Sequence, residues 1–454
     1  MRIRFIIVFA LLALIGCQPD EKQKVFFGGQ IVNPSASSVR LYFGNRVLDT
    51  FLLNNNTRFY RNYDSLLPGI YKLEHIPDFT SVLLEPGDSM WVRINAADFQ
   101  KSIYFSGRGA SKNNFLTDID DALGKETKFI ASQYAAKPTL FKQQIDSLLR
   151  EKKMRWIQMD SLNSLSPYAQ KLTQSAYVYS YAGIRERYAL LRGSNWDSIQ
   201  TKDFFGYRKY LNYGENDLAF FEPYISYLIN FLNKEALPKN GNFMEARQNT
   251  DFNMKRLKLI DKYIKGNRVR NNLARAVAYE EMLNFENHQN HDNFLNAYFK
   301  INSSPSYAEE ITALHKDIKQ MEVGKALPSV LLQNTQLDLI SSDTIATRPT
   351  VLYFWSQTQM SRYKTTLERV QQLQKKHPEY RFIGISIQPL NPIALEVYKM
   401  MALDPKDQYA IADFGAASKK WVITLLNKTI ILDSQGKIKN GFANLISADF
   451  EKSL

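Results

Sequence analysis

The residue types that could do chemistry in this 454-residue chain are few: one cysteine, five histidines and a cluster of hydroxyls near position 358. A thiolate is a nucleophile and a metal ligand, but Cys17 has no second thiol with which to form a disulfide inside the chain. His288-x-x-His291-Asp292, close to Glu286, has a spacing at which two imidazoles on a helix could share a metal. Asn287, Gln289, Asn290 and Asn293 around it read as a polar helix end or loop, and no distant ligand is evident, so the sequence predicts no metal and no cofactor. Ser356, Thr358 and Ser361 lie near no evident base, and His377, followed by Pro378, reads as a helix end. A hydroxyl nucleophile needs a base and a group that orients that base. None can be assembled here, and the sequence predicts no catalytic residue.

Cys17 has a context of its own. Arg2 and Arg4 precede the uncharged apolar run Phe5 to Ile15, which is too short to span a bilayer and has the length and flanks of a signal-peptide core. The run ends in Leu14-Ile15-Gly16-Cys17, which resembles the lipobox of bacterial lipoproteins. The resemblance implies a signal peptide over 1–16, lipid on Cys17 and a stable acyl anchor. Residues 17–24 then read as a polar tether, and their Asp20-Glu21 pair resembles the surface-export signal of some Bacteroidota lipoproteins.

The formal net charge of +13 suits an anionic membrane surface or an acidic partner. Its densest stretch runs from Lys255 to Arg275, with Leu257, Ile260, Ile264 and Leu273 interleaved. That pattern predicts the solvated face of a core helix more readily than a lipid-binding surface. No nucleic-acid-binding module is present in the pattern, and no nucleic-acid partner is expected.

These residues have to be positioned by three regions. Residues 25–112 alternate in short runs, such as Val39-Leu41-Phe43 against Arg40-Tyr42, separated by turn signals such as Asn54-Asn55-Asn56 and Glu85-Pro86-Gly87-Asp88. This predicts an antiparallel β-sandwich. Residues 113–322 have helical periods. Phe141, Ile145, Leu148, Lys152, Trp156, Met159 and Leu162 step by three or four, and Pro167 and Glu222-Pro223 open further helices. Residues 323–454 predict an α/β domain: an apolar strand at Thr350 to Trp355, a basic amphipathic helix at Ser361 to Lys376, a strand at Tyr380 to Ile387, then a hairpin around Asp433-Ser434-Gln435-Gly436. The fold class expected is therefore multidomain α+β and α/β.

The last region resembles the thioredoxin-like thiol–disulfide oxidoreductases of Gram-negative envelopes, through Gly324-Lys325-x-Leu327-Pro328, Val351-Leu352-Tyr353-Phe354-Trp355, Phe382-Ile383-Gly384-Ile385-Ser386 and Ile430-Ile431-Leu432-Asp433-x-x-Gly436-Lys437-Ile438. Turns of the first region, including Pro68-Gly69-Ile70-Tyr71, resemble the β-domain of Bacteroidota thioredoxin-like lipoproteins. The family implies a Cys-x-x-Cys four residues after the strand's Phe-Trp pair, at a helix N-terminus that lowers the first thiol's pKa. Gln359 and Arg362 occupy those two positions, so the resemblance is to a family member with a degenerate active site. It also implies a cis-proline facing the thiols, and that position is Asn427. A cis bond before a non-proline residue costs about 3 kcal/mol, so Asn427 is expected to be trans.

The expected function is that of a non-catalytic envelope lipoprotein, on the periplasmic face or cell surface of an outer membrane, serving as scaffold or binding a protein or peptide partner. Trp355, Gln359, Met360, Arg362 and Tyr363 would line the binding groove. Two alternatives stay open: an oxidoreductase that borrows a partner's thiols, and an accessory subunit of an export or uptake complex. Asp-Ser/Thr followed by a small or aliphatic residue resembles the O-glycosylation motif of Bacteroidota envelope proteins, and matches stand at Asp64-Ser65-Leu66, Asp88-Ser89-Met90, Asp146-Ser147-Leu148, Asp160-Ser161-Leu162, Asp197-Ser198-Ile199 and Asp343-Thr344-Ile345. Ser65, Ser198 and Thr344 are the sites expected, because turn-like sequence surrounds them.

Overall fold

The computed structural model describes residues 24–44, 46–192, 202–239, 241–284, 291–357, 359–401, 403–447 and 449–454. The chain divides into two compact units, Met1–Leu273 and Ala274–Leu454. The expected β region and most of the expected helical region fall in the first.

Eight strands open the first unit: β1 (Val25–Val32), β2 (Ser38–Phe43), β3 (Arg46–Leu52), β4 (Arg58–Tyr63), β5 (Gly69–His75), β6 (Asp78–Leu84), β7 (Ser89–Asn95) and β8 (Tyr104–Arg108). They form two four-stranded sheets, β4-β1-β7-β8 and β3-β2-β5-β6. Alternation puts Val25, Phe27 and Ile31 of β1, Val39 and Leu41 of β2, Tyr71 and Leu73 of β5, and Met90, Val92 and Ile94 of β7 into one apolar core. One pairing departs from the expected antiparallel sandwich: β1 and β7 run parallel, Phe27 beside Met90 and Ile31 beside Ile94. Of the strands between them, β4 pairs with the other edge of β1 and β2, β3, β5 and β6 form the second sheet, so no hairpin joins β1 to β7 and nothing forces them to run in opposite directions.

Helices follow: α1 (Ala110–Gln133), α2 (Pro138–Asn163), α3 (Pro167–Leu191), α4 (Glu222–Ala236), α5 (Thr250–Tyr263) and α6 (Asn267–Met282), the last crossing into the second unit. Proline occupies the first turn of α2, α3 and α4, where its missing N–H costs nothing. The polar interruption of the α2 stripe, Lys152, is itself buried; its Nζ meets Glu126 Oε1 at 2.5 Å, and Tyr181 donates to the other oxygen of that carboxylate. The basic stretch from Lys255 is not a purely solvated face either. Arg256 is buried and donates to Asn253 Oδ1 at 2.9 Å. In the second unit, Arg275 clamps Glu310.

The second unit continues with α7 (His291–Ile301) and α8 (Pro305–Gln320) and then a seven-stranded sheet. Its strands are β9 (Leu331–Gln333), β10 (Leu339–Ser341), β11 (Thr350–Trp355), β12 (Arg381–Ser386), β13 (Gln408–Ile411), β14 (Lys428–Leu432) and β15 (Ile438–Asn444), in the order β10-β9-β13-β12-β11-β14-β15. β11, β12 and β13 are parallel, and β14 and β15 return antiparallel beside β11. The parallel strands are joined through α9 (Met360–Lys376) and α10 (Pro392–Met400), and α11 (Phe414–Lys420) precedes the closing hairpin. Strand, helix, strand, helix, strand and final hairpin is the thioredoxin-like order the sequence led us to expect. All six residues of β11 are buried, as a strand covered on both faces requires. Val351, Tyr353 and Trp355 pack with Tyr363, Leu367, Val370 and Leu373 of α9 on one face. On the other, Phe354 meets Trp421.

Candidate functional site

In an open sheet with parallel central strands, ligands meet the loops at the strands' carboxyl ends. Here those loops are Ser356 to Gln359 after β11, Ile387 to Asn391 after β12, and the approach to β14 near Asn427.

The first helical bond of α9 runs from the Tyr363 N–H to Gln359 O at 3.0 Å, so Gln359 is the N-cap and Arg362 the third helical residue. The Gln359 side chain does not cap the helix. Gln359 and Arg362 are both exposed, Met360 is half-buried, and Arg362 makes no ion pair among the described residues. Trp355 and Tyr363 lie elsewhere. They are 2% and 1% exposed, stacked face to face with ring centres 4.0 Å apart, and Tyr398 stands edge-on to the indole at 5.7 Å. They form the floor under the helix end and not the wall of a groove. The reason is periodicity: Trp355 shares the inward face of β11 with Val351 and Tyr353, and Tyr363 shares the inward stripe of α9 with Leu367 and Val370.

The Asn427 peptide is trans, as expected, since the cis bond found among the described residues is Ile76–Pro77. The β11–β14 ladder ends at Tyr353 and Thr429, two residues short of Asn427. The Asn427 side chain turns to Asn444 Oδ1 at 3.2 Å, and its carbonyl accepts from the Leu445 N–H at 3.2 Å. It is thus bound into the β15 end.

Gln357, Gln388 and Asn391, which the sequence did not single out, lock the first two loops together. Gln357 Nε2 donates to Pro389 O at 2.8 Å and lies 3.2 Å from both Ser386 Oγ and Gln388 O. Gln357 Oε1 accepts from Asn391 Nδ2 at 2.9 Å, while the Gln357 N–H donates to Gln388 Oε1 at 3.0 Å and Gln388 Nε2 donates to Ser356 Oγ at 2.9 Å. Ser356 and Ser386 are buried, so these are internal bonds in a low-dielectric setting.

Beside Asn427, Lys428 is buried under Phe442, with its Nζ 4.1 Å from the ring centre. It donates to the carbonyls of Trp421 and Val422, the latter at 3.0 Å. Val422 has φ +50°, a left-handed conformation that is unusual for a β-branched residue. The ammonium holds both carbonyls of that turn. Burial pushes the Lys428 ammonium well below its ordinary value.

Other sequence expectations fall as follows. Cys17, Ser198, Glu286, His288 and Thr358 lie outside the described residues. Ser65 and Thr344 are exposed. His291 is buried and edge-on to His315 at 5.8 Å, and no group of three or more potential metal ligands occurs among the described residues. His377 caps the C-terminus of α9 and lies 3.5 Å from Glu451, in keeping with its reading as a helix end. No described helix is long and apolar enough to cross a membrane.

No known family matches the chain, and no curated protein does. Part of it is similar to solved structures. One is a candidate thiol–disulfide oxidoreductase from Bacteroides vulgatus (15% identity, 30% of this chain and 99% of that one, TM-score 0.26). Another is the thioredoxin domain of a thiol–disulfide oxidoreductase from the same organism (15%, 29% and 94%, TM-score 0.24). A third is the C-terminal domain of a candidate thiol–disulfide oxidoreductase from Bacteroides thetaiotaomicron (22%, 29% and 93%, TM-score 0.23).

Proposed function

We propose that the chain is a lipid-anchored envelope protein whose thioredoxin-like unit binds a protein or peptide partner at the N-terminal end of α9 and performs no thiol–disulfide exchange of its own. The observation that carries this reading is the identity and exposure of Gln359 and Arg362. They stand at the N-cap and third position of the helix, where a dithiol would be poised, and the chain has one cysteine in all. An amide and a guanidinium cannot cycle between thiol and disulfide. They can donate hydrogen bonds to a partner, and among the described residues neither side chain has an internal bond to give up first. The Gln357–Gln388 latch supports the same reading, because it pre-organises the two loops flanking the helix end. Anchoring through Cys17, and sugar on Ser65 or Thr344, belong to the same envelope proposal.

The test is insulin reduction by the purified chain in the presence of dithiothreitol. Precipitation of the insulin B chain should proceed at the rate of the reductant alone. A rate raised in proportion to protein concentration would overturn the non-redox half of the proposal.

A further inference from the structure

The first unit contains a cavity of about 580 Å³, in the range of small-molecule sites. Its walls come from β6, α1, α3 and α4, and Leu116, Leu123, Ile130 and Ile184 supply much of its apolar surface. Two carboxylates face it: Asp120 from the middle of α1 and Glu222 from the first turn of α4. Neither has an ion-pair partner among the described residues. Among the described residues, the Glu222 carboxylate accepts from Ser226 Oγ, at 2.5 Å.

We propose that this cavity binds a small primary ammonium ion with an apolar body, the ammonium meeting Asp120 and Glu222 and the apolar part lying along Leu116, Leu123, Ile130 and Ile184. A mostly apolar cavity selects an apolar body, and two unpaired carboxylates select a cation and repel an anion. A hard divalent ion fits poorly, since it asks for six or more oxygen ligands and the walls supply mainly carbon.

The state of Asp120 agrees. Asp120 and Glu222 are both solvent-accessible, and the Asp120 carboxyl is pushed up to about 6, by desolvation first and by the Glu222 carboxylate next. The other titratable or charged groups in the lining are Tyr134 after α1, and Tyr179 and Arg187 on α3; β6 and Gln100 contribute none. Arg187 acts on Tyr134 and is not among the groups that move Asp120. The acidic end is therefore uncompensated, and a bound ammonium would complete it. This site is independent of the C-terminal reading and survives its failure.

The experiment is calorimetric titration of the full chain with octylammonium chloride, 1-octanol and sodium octanoate. Octylammonium should saturate one site, with octanol and octanoate roughly tenfold or more weaker. Its affinity should fall as the pH drops through about 6, where Asp120 takes up a proton. Asp120→Asn should weaken octylammonium by a similar factor and leave octanol unchanged. Thr127→Lys, at an exposed position two turns along the same face of α1, supplies a rival ammonium and should abolish binding. Thermal melts of both variants check that they fold. Absence of saturable binding, octanoate binding as tightly as octylammonium, or an Asp120→Asn variant indistinguishable from wild type would each overturn the proposal.

Discussion

Installing cysteines at Gln359 and Arg362, in a Cys17→Ser background, tests the placement of the helix end directly. The two residues are three apart, from the N-cap into the first turn of α9. Helical rise and radius put their Cα atoms about 5 Å apart, inside the roughly 4.4–6.8 Å that a disulfide tolerates. The N-cap side chain sits where it accepts from the free N–H groups of the first turn. A thiol installed there should thus have its pKa lowered from about 8.5 into the range of roughly 3.5–7.5 found at helix N-termini. Arg362, itself a cation, is lost in the double variant, so the helix end alone has to supply the shift, and we expect a value near the top of that range. The assay is the pH dependence of iodoacetamide alkylation of Gln359→Cys alone, then thiol counting on the double variant in a glutathione redox buffer. One alkylation midpoint below 7.5 and a disulfide in the double variant are expected. A midpoint near 8.5, or two thiols that stay free in oxidised glutathione, would refute the placement of residues 359 and 362 at a helix N-terminus.

Three further outcomes are expected. Gln357→Ala removes four side-chain hydrogen bonds across the two loops. Discounted for partial exposure, this should cost about 2 kcal/mol, or roughly 4–8 °C in Tm of the second unit by calorimetry; an unchanged Tm would show that the latch is not formed. Lys428→Met should gain on wild type as the pH is lowered from 10.5, the ordinary lysine value. Below that value the unfolded chain binds a proton that the folded chain, with its depressed Lys428, does not. The wild type therefore loses stability down to the folded pKa, and a Tm difference that stays constant between pH 7 and 10.5 would contradict the burial argument. Cys17→Ala should leave the protein in the soluble fraction or as an uncleaved precursor, and acyl label on that variant would exclude Cys17 as the lipid site.

Much of the α/β unit was legible because its signals are local. Thr350 to Trp355 is an unbroken apolar strand, and the hairpin turn is marked by Asp433 and Gly436. The same local rules, carried one step further, would have turned Trp355 and Tyr363 inward, since each shares a face with buried neighbours. The β1–β7 pairing was not legible, because its partners lie more than fifty residues apart and alternation does not encode strand direction. Gln357 and Gln388 meet only through the parallel alignment of β11 with β12, and a polar pair across two loops leaves no period in the sequence. Lys428 reads as an ordinary surface lysine at the start of a strand until the 421–422 turn is seen beneath it. The cavity around Asp120 needs four elements from one unit, and no single stretch of sequence contains it.

The claim that the N-terminal end of α9 is a binding surface is tested most directly by site-specific photocrosslinking in intact cells. A benzoylphenylalanine is placed at Gln359, with another at Lys437 on the exposed turn of the β14–β15 hairpin as the control. The account predicts one discrete crosslinked protein or peptide at position 359 that is absent at 437 and disappears when Arg362→Glu is added. An adduct equally strong at both positions, or one at 359 that is indifferent to Arg362→Glu, would contradict it.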